Sequence, residues 1–183
     1  ACNSEIEKTI FSVINKLQIH FKSSNGLVVE VISIPPRPCG FGTGTQLGLS
    51  VAKSFCAHYN LPFNIDGLSV ILGRGGRSGI GTAAFQSGGF IVDGGKPKND
   101  QPPPILVQKK FPEGWKILLI LDNSKTGLHG NEEKEAIKKL PKFERIISSR
   151  LCHETLLRIL PAIVEKDFNS FAKGLNEIQG IMG

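Results

Sequence analysis

Acidic residues are nearly absent from the middle of this chain. Between Val31 and Val92 the only carboxylate is Asp66, against Arg37, Lys53, Arg74 and Arg77. Stacking surface is scarce too, with one Trp and one Tyr, and the lysines are scattered without a nucleic-acid motif. The net charge of +6 therefore suits small anions, and no nucleic-acid partner is expected. No apolar run has spanning length and no signal-peptide pattern opens the chain, so no membrane partner is expected. Cys2, Cys39, Cys56 and Cys152 form no C-x-x-C pair. That spacing argues against zinc and against a disulfide framework, and suits free thiols in a reducing cytoplasm. An initiator Met is missing, and the chain stops within a helical pattern at Met182-Gly183. It reads as a fragment lacking both ends.

Glycine is what the chain has instead. A first stretch reads Gly40-Phe41-Gly42-Thr43-Gly44-Thr45-Gln46, and a second, Gly73 to Gly95, holds nine glycines in 23 residues. Glycine lets backbone N–H groups crowd around a ligand, and a helix start adds positive potential. The two stretches in an acid-poor segment read as a phosphate site. With 40% hydrophobic and 21% charged residues, a chain of 183 residues is globular and able to bury a core.

Ser4-Glu5-Ile6-Glu7 is a capping-box pattern. Behind it Ile6, Ile10, Val13, Ile14, Leu17 and Phe21 predict a helix ending near Phe21. Leu27 to Ile34 predicts a buried strand, stopped by Pro35, Pro36 and Pro38. Leu47, Val51, Phe55 and Tyr59 mark a second helix, beginning near Thr45 and ended by Asn60 and Pro62. Asn64 or Asp66 caps a short helix finishing at Gly73, and Gly88 to Asp93 is extended. Lys96 to Pro104 is a surface loop. Ile105 to Phe111 and Trp115 to Leu121 predict a hairpin about Pro112-Glu113-Gly114. The remainder is helical: an exposed piece over 132–140, an apolar piece over 151–164 with Pro161 near its end, and a last helix striped by Phe168, Phe171, Leu175, Ile178 and Met182. The expected class is α+β.

In the first stretch a strand, then glycines, then a helix aim amides at one point, and Thr43 and Thr45 add hydroxyls. The sequence matches neither the P-loop nor the dinucleotide fingerprint. In the second, Arg74 and Arg77 stand among glycines where their forks reach a phosphate bidentately, with Ser78 beside them. The plain alternative is a ligand-free turn in the first stretch and solvated arginines in the second. Asp93 ends an apolar strand. It is placed either to hold Mg2+ or orient ribose hydroxyls, or to bond its own turn. His129 in Gly127-Leu128-His129-Gly130 is either an acid–base group or an exposed loop residue.

Pro36-Arg-Pro-Cys-Gly-Phe-Gly-Thr-Gly-Thr-Gln-Leu47 resembles the phosphate loop of the GHMP kinase superfamily. The longer resemblance is to one branch, the β-ribofuranosylaminobenzene 5′-phosphate synthases. It includes L-G-R-G-G-R-S-G-I-G (72–81), G-G-F-I-V-D-G-G (88–95), G-L-H-G (127–130) and L-N-E-I-Q (175–179). The resemblance implies a two-layer sheet-and-helix fold of GHMP type, incomplete at both ends. Residues 1–95 would be an N-terminal portion bearing the phosphate loop, and 96–183 a C-terminal portion. It implies decarboxylating ribosyl transfer in methanopterin biosynthesis, joining phosphoribosyl pyrophosphate to 4-aminobenzoate or 4-hydroxybenzoate with Mg2+. Gly40, Gly42, Thr43, Gly44, Thr45, Gln46, Arg74, Arg77, Ser78, Gly79 and Gly81 would bind phosphate or substrate. Asp93 would take metal or ribose, with Asp93 and His129 as catalytic candidates. A homodimer is compatible, though no residue argues for it. The rival readings are an ATP-dependent small-molecule kinase and a non-catalytic anion-binding domain. Against the kinase, Gly44 stands where superfamily kinases carry Ser, and Gly81 stands where many carry an aspartate base. Pro38 and Phe41 depart from the synthase pattern, which often has His and usually Leu there.

Overall fold

A computed structural model describes residues 4–23, 26–34, 41–76, 78–97, 101–120, 135–136, 139–140 and 144–182. It is a mixed helix-and-sheet chain in two compact units that divide after Gln108.

The first unit holds α1 (Ser4–Phe21), α2 (Thr43–His58), α3 (Ile65–Ile71), α4 (Ile80–Ser87), β1 (Phe90–Asp93) and β2 (Ile105–Lys109). α1 buries Ile10, Val13 and Leu17, the apolar positions of its helical repeat. They meet Leu49, Ala52, Phe55 and Cys56 of α2 and Leu68 and Leu72 at α3 to form the core. Burial raises the pKa of the Cys56 thiol, so the group stays protonated and inert. α3 is capped by Asn64, whose side chain accepts from the Gly67 N–H at 2.6 Å. Asp66 lies in the first turn instead. β1 and β2 pair as a two-stranded sheet.

Two predicted strands do not form. Residues 26–34 have no regular secondary structure, and Val28 and Ile32 are 96% and 91% exposed. Leu27 and Val31 pack on the core, and Gly26 is tied by its carbonyl to the Tyr59 hydroxyl at 2.8 Å. A strand is defined by a neighbour that takes its amides, and among the described residues none pairs with this run. Likewise the turn at Pro112-Glu113-Gly114 is present, with Trp115 N–H donating to the Pro112 carbonyl at 3.3 Å and Gly114 at φ 92°. Among the described residues, 115–120 beyond it join no ladder.

The second unit is helical: α5 (Arg145–His153), a π-helical segment (Glu154–Ile159), α6 (Leu160–Glu165) and α7 (Phe168–Met182). The widened turn precedes Pro161, whose ring would otherwise strike the carbonyl four residues back and which has no N–H to donate. Glu154, inside that segment, is buried and paired with Arg158 Nε at 2.7 Å. Lys166, at φ 60°, ends α6. Asp167 then caps α7, accepting from Ser170 N–H at 3.1 Å and Ser170 Oγ at 2.6 Å. Arg150 pairs with Glu177 across the helices. Trp115 is edge-on to Phe111 and Phe168, with ring centroids 5.6 and 5.3 Å apart. Only a few residues of the predicted 132–140 helix are described, and Glu135, Ala136 and Lys139 are helical.

Candidate anion site at two helix starts

Gly42 makes the first loop work. It stands at φ 66°, ψ 18°, the left-handed region that costs glycine nothing, and turns the chain into α2. The N–H groups of Thr45 and Gln46 both go back to the Gly42 carbonyl, at 2.9 and 3.1 Å. Thr43 and Gly44 lie ahead of that ladder, where amides of a helix start have no partner within the helix. No Ncap side chain caps this end, and the first turn carries no acid. The helix begins two residues earlier than its apolar spacing predicts.

The second glycine stretch supplies α4, and it meets the first. Gln46 Nε2 donates to the Gly81 carbonyl at 2.8 Å. A Cβ on Gly81 would stand 3.2 Å from Thr45 Cγ2, a tight contact, so glycine favours this close approach of the two helix starts.

α4 is served differently from α2. Ser78 Oγ and Gly79 N–H donate to Asp93 Oδ2 at 2.7 and 2.9 Å, and Gly95 N–H donates to Oδ1 at 3.1 Å. Ile80 N–H reaches Ser78 Oγ at 3.2 Å. Desolvation pushes the Asp93 pKa up, but the Ser78 hydroxyl and the amides of Gly95, Gly79 and Ile80 together outweigh it and hold the carboxyl below the usual range. The anion at the start of α4 is thus the protein's own carboxylate, delivered by the end of β1.

This bears on the metal. A carboxylate has about four acceptor positions, and Asp93 uses three of them on Ser78, Gly79 and Gly95. Among the described residues no group of three His, Cys, Asp or Glu stands together to ligate an ion.

Arg74 occupies a different groove. Its backbone N–H donates to the Ser69 carbonyl at 2.8 Å, after Gly73 turns the chain at φ 67°. The side chain lines a groove of about 270 Å3 with Lys8, Ser12 and Lys16 of α1. Lys16 Nζ donates there to the Leu72 carbonyl at 2.9 Å. Gly40, Arg77 and His129 lie outside the described residues.

Sequence reasoning missed the polar side of α4. Ser69 and Thr82 are buried, with their hydroxyls 2.9 Å apart. Gln108 Nε2 donates to the carbonyls of Ala83 and Gly88 at 3.2 and 2.9 Å. The spacing of Gly79, Thr82, Ala83 and Gln86, one face of a helix in small and polar residues, was the available signal.

These features define a candidate anion site built on two adjoining helix starts, one capped by Asp93 and one with no side-chain cap among the described residues. No family model matches the chain. It is 33% identical over 188 residues to the β-ribofuranosylphenol 5′-phosphate synthase of Methanothermobacter thermautotrophicus, across 96% of this chain and 57% of that protein. The enzyme of the same name from Methanocaldococcus jannaschii is 34% identical over 84% of this chain and 51% of its own length. That of Archaeoglobus fulgidus is 34% identical over 84% and 52%. The chain belongs to the family of these synthases. It spans about half the length of the curated relatives it matches. Among the described residues no helix is long and apolar enough to cross a membrane.

Proposed function

We propose that the whole protein is a decarboxylating ribosyltransferase. It joins phosphoribosyl pyrophosphate to 4-hydroxybenzoate or 4-aminobenzoate. A bond forms between the anomeric carbon and the ring carbon bearing the carboxylate. The bond to pyrophosphate breaks, and the carboxylate leaves as CO2. The relatives' name, which specifies a ribofuranosylphenol phosphate, favours the hydroxy acid. The setting is a GHMP-like fold in the cytoplasm, serving methanopterin biosynthesis.

The observation that carries this reading is the approach of Thr45 to Gly81. It sets the uncapped start of α2 beside the start of α4. The Thr43 and Gly44 amides and the Thr45 hydroxyl bind a donor phosphate, where the helix potential favours negative charge. Asp93 fixes Ser78 and Gly79 and so holds the wall of the site rigid. Mg2+ belongs to the proposal as a partner of the donor's pyrophosphate, carried by the phosphates and not by Asp93.

Full-length protein given phosphoribosyl pyrophosphate, Mg2+ and carboxyl-labelled 4-hydroxybenzoate should release labelled CO2 and pyrophosphate in equal amounts. Consumption of ATP with a small alcohol, and no CO2, would make it a kinase instead.

A further inference from the structure

α4 has two sides. Gly81 faces Thr45 of α2, and Phe85 packs on the core. Gly79, Thr82, Ala83 and Gln86 face the other way and line a pocket of about 360 Å3. That size is near the lower end for small-molecule sites and accommodates one ring.

The lining is apolar on one side and polar at two places. Pro103 and Ile105 press against Gly79, where a Cβ would come within 2.9 Å of the Pro103 carbonyl and of Ile105 Cδ1. The floor is the buried Ser69–Thr82 hydroxyl pair, 4% and 7% exposed. At the mouth Gln86 Nε2 donates to Asp66 Oδ1 at 3.2 Å. Asp66 is the only charged residue among those lining the pocket.

We propose that this pocket seats the aromatic acid, and that Asp66 and Gln86 select its para substituent. The identity of the ligand rests on the ribosyl-transfer reading; the pocket's chemistry does not. A lone carboxylate that accepts hydrogen bonds recognises an O–H or N–H donor and rejects a second carboxylate. Flat apolar walls suit a ring. Gly79 and Gln86 are seven residues apart, about 10 Å along the helix, which is longer than the para axis of a hydroxybenzoate. With its donor at Asp66, the ring directs the opposite, carboxylate-bearing carbon to the first turn of α4. The other face of that turn touches Thr45 of the phosphate loop. The Gly79 amide already serves Asp93 and is not free to bind the acid's carboxylate. Recognition comes from the para donor at Asp66.

The test uses full-length protein, wild type and Asp66→Ala, a change at an exposed side chain. Asp66→Ala should raise the KM for 4-hydroxybenzoate about tenfold, the loss of one hydrogen bond to a charged group. The KM for phosphoribosyl pyrophosphate and the inhibition constant of 4-methylbenzoate, which lacks the para donor, should stay within about twofold. An unchanged KM for 4-hydroxybenzoate overturns the proposal. Calorimetric titration of 4-hydroxybenzoate alone separates the two readings. Binding weakened by Asp66→Ala without any CO2 release would retain the pocket and overturn ribosyl transfer. CO2 release with equal binding in both proteins would do the reverse.

Discussion

Gly81 and Thr45 pack closely across two helix starts: a Cβ at Gly81 would stand 3.2 Å from Thr45 Cγ2, so a side chain there would require Thr45 to give by a few tenths of an ångström. Two glycine-rich stretches, meeting through residues 36 positions apart in sequence, thereby become one wall. The absence of a side chain at Gly81 favours this packing and is also a departure from the kinase pattern.

Replacing Gly81 by Val should separate the two helices. Overpacking of this kind costs about 1–3 kcal/mol, against a gain in helix propensity of well under 1 kcal/mol. Urea unfolding should show the loss, and affinity for phosphoribosyl pyrophosphate should fall with it. A variant of native stability and affinity would show that the contact is slack.

Asp93→Asn puts a donor amide where N–H and O–H donors now converge. It should destabilise by about 1–3 kcal/mol, the cost of leaving such groups unpaired. The pH dependence has a definite sign. The folded-state pKa is depressed, so the carboxylate stabilises fully above the unfolded value of about 3.9 and progressively less as pH falls through the folded value. Wild type should therefore lose stability in acid more steeply than Asp93→Asn. Thermal melts between neutral pH and pH about 3 would show it, and parallel curves would exclude Asp93 as the cap.

Gly174 of α7 lies against Ile159, and a Cβ there would approach Ile159 Cγ1 to 2.7 Å. Gly174→Ala should cost about 1–3 kcal/mol although alanine is the better helix former. In the double variant Gly174→Ala/Ile159→Ala, which removes Cγ1, the cost should fall below the sum of the two single costs. Additive costs would mean that the two residues do not share the space.

Asn64→Ala removes the cap of α3 and should cost about 1 kcal/mol in chemical denaturation. Asn64→Asp, which keeps the acceptor at a helix start, should cost much less. Equal losses for the two variants would argue against the capping bond.

What was legible in the sequence was local. The periodicity from Ile6 to Phe21 located α1 because helix hydrogen bonds close within four residues. Asn64 was one of two readable caps for α3, and three-dimensional geometry chose it. The runs 27–34 and 115–120 have strand composition, but a strand is made by its neighbour and composition does not name one. At the site, Gly42, Thr43 and Thr45 were visible through the loop pattern. The bonds from Ser78 and Gly79 to Asp93 were not, because they depend on where β1 ends in space. Thr82 and Gln86 drew no reading in the sequence, because only the fold sets Ser69 and Asp66 opposite them.

The widened turn at Glu154–Ile159 carries one residue more than a regular turn would. Deleting one residue here would return the segment to a regular α-turn and leave the flanking helices in phase, so Arg150 would still meet Glu177. Pro161 would then strike the carbonyl four residues back, the clash that the wider turn avoids. Insertions and deletions here should be tolerated far less than in the exposed stretch at 115–120.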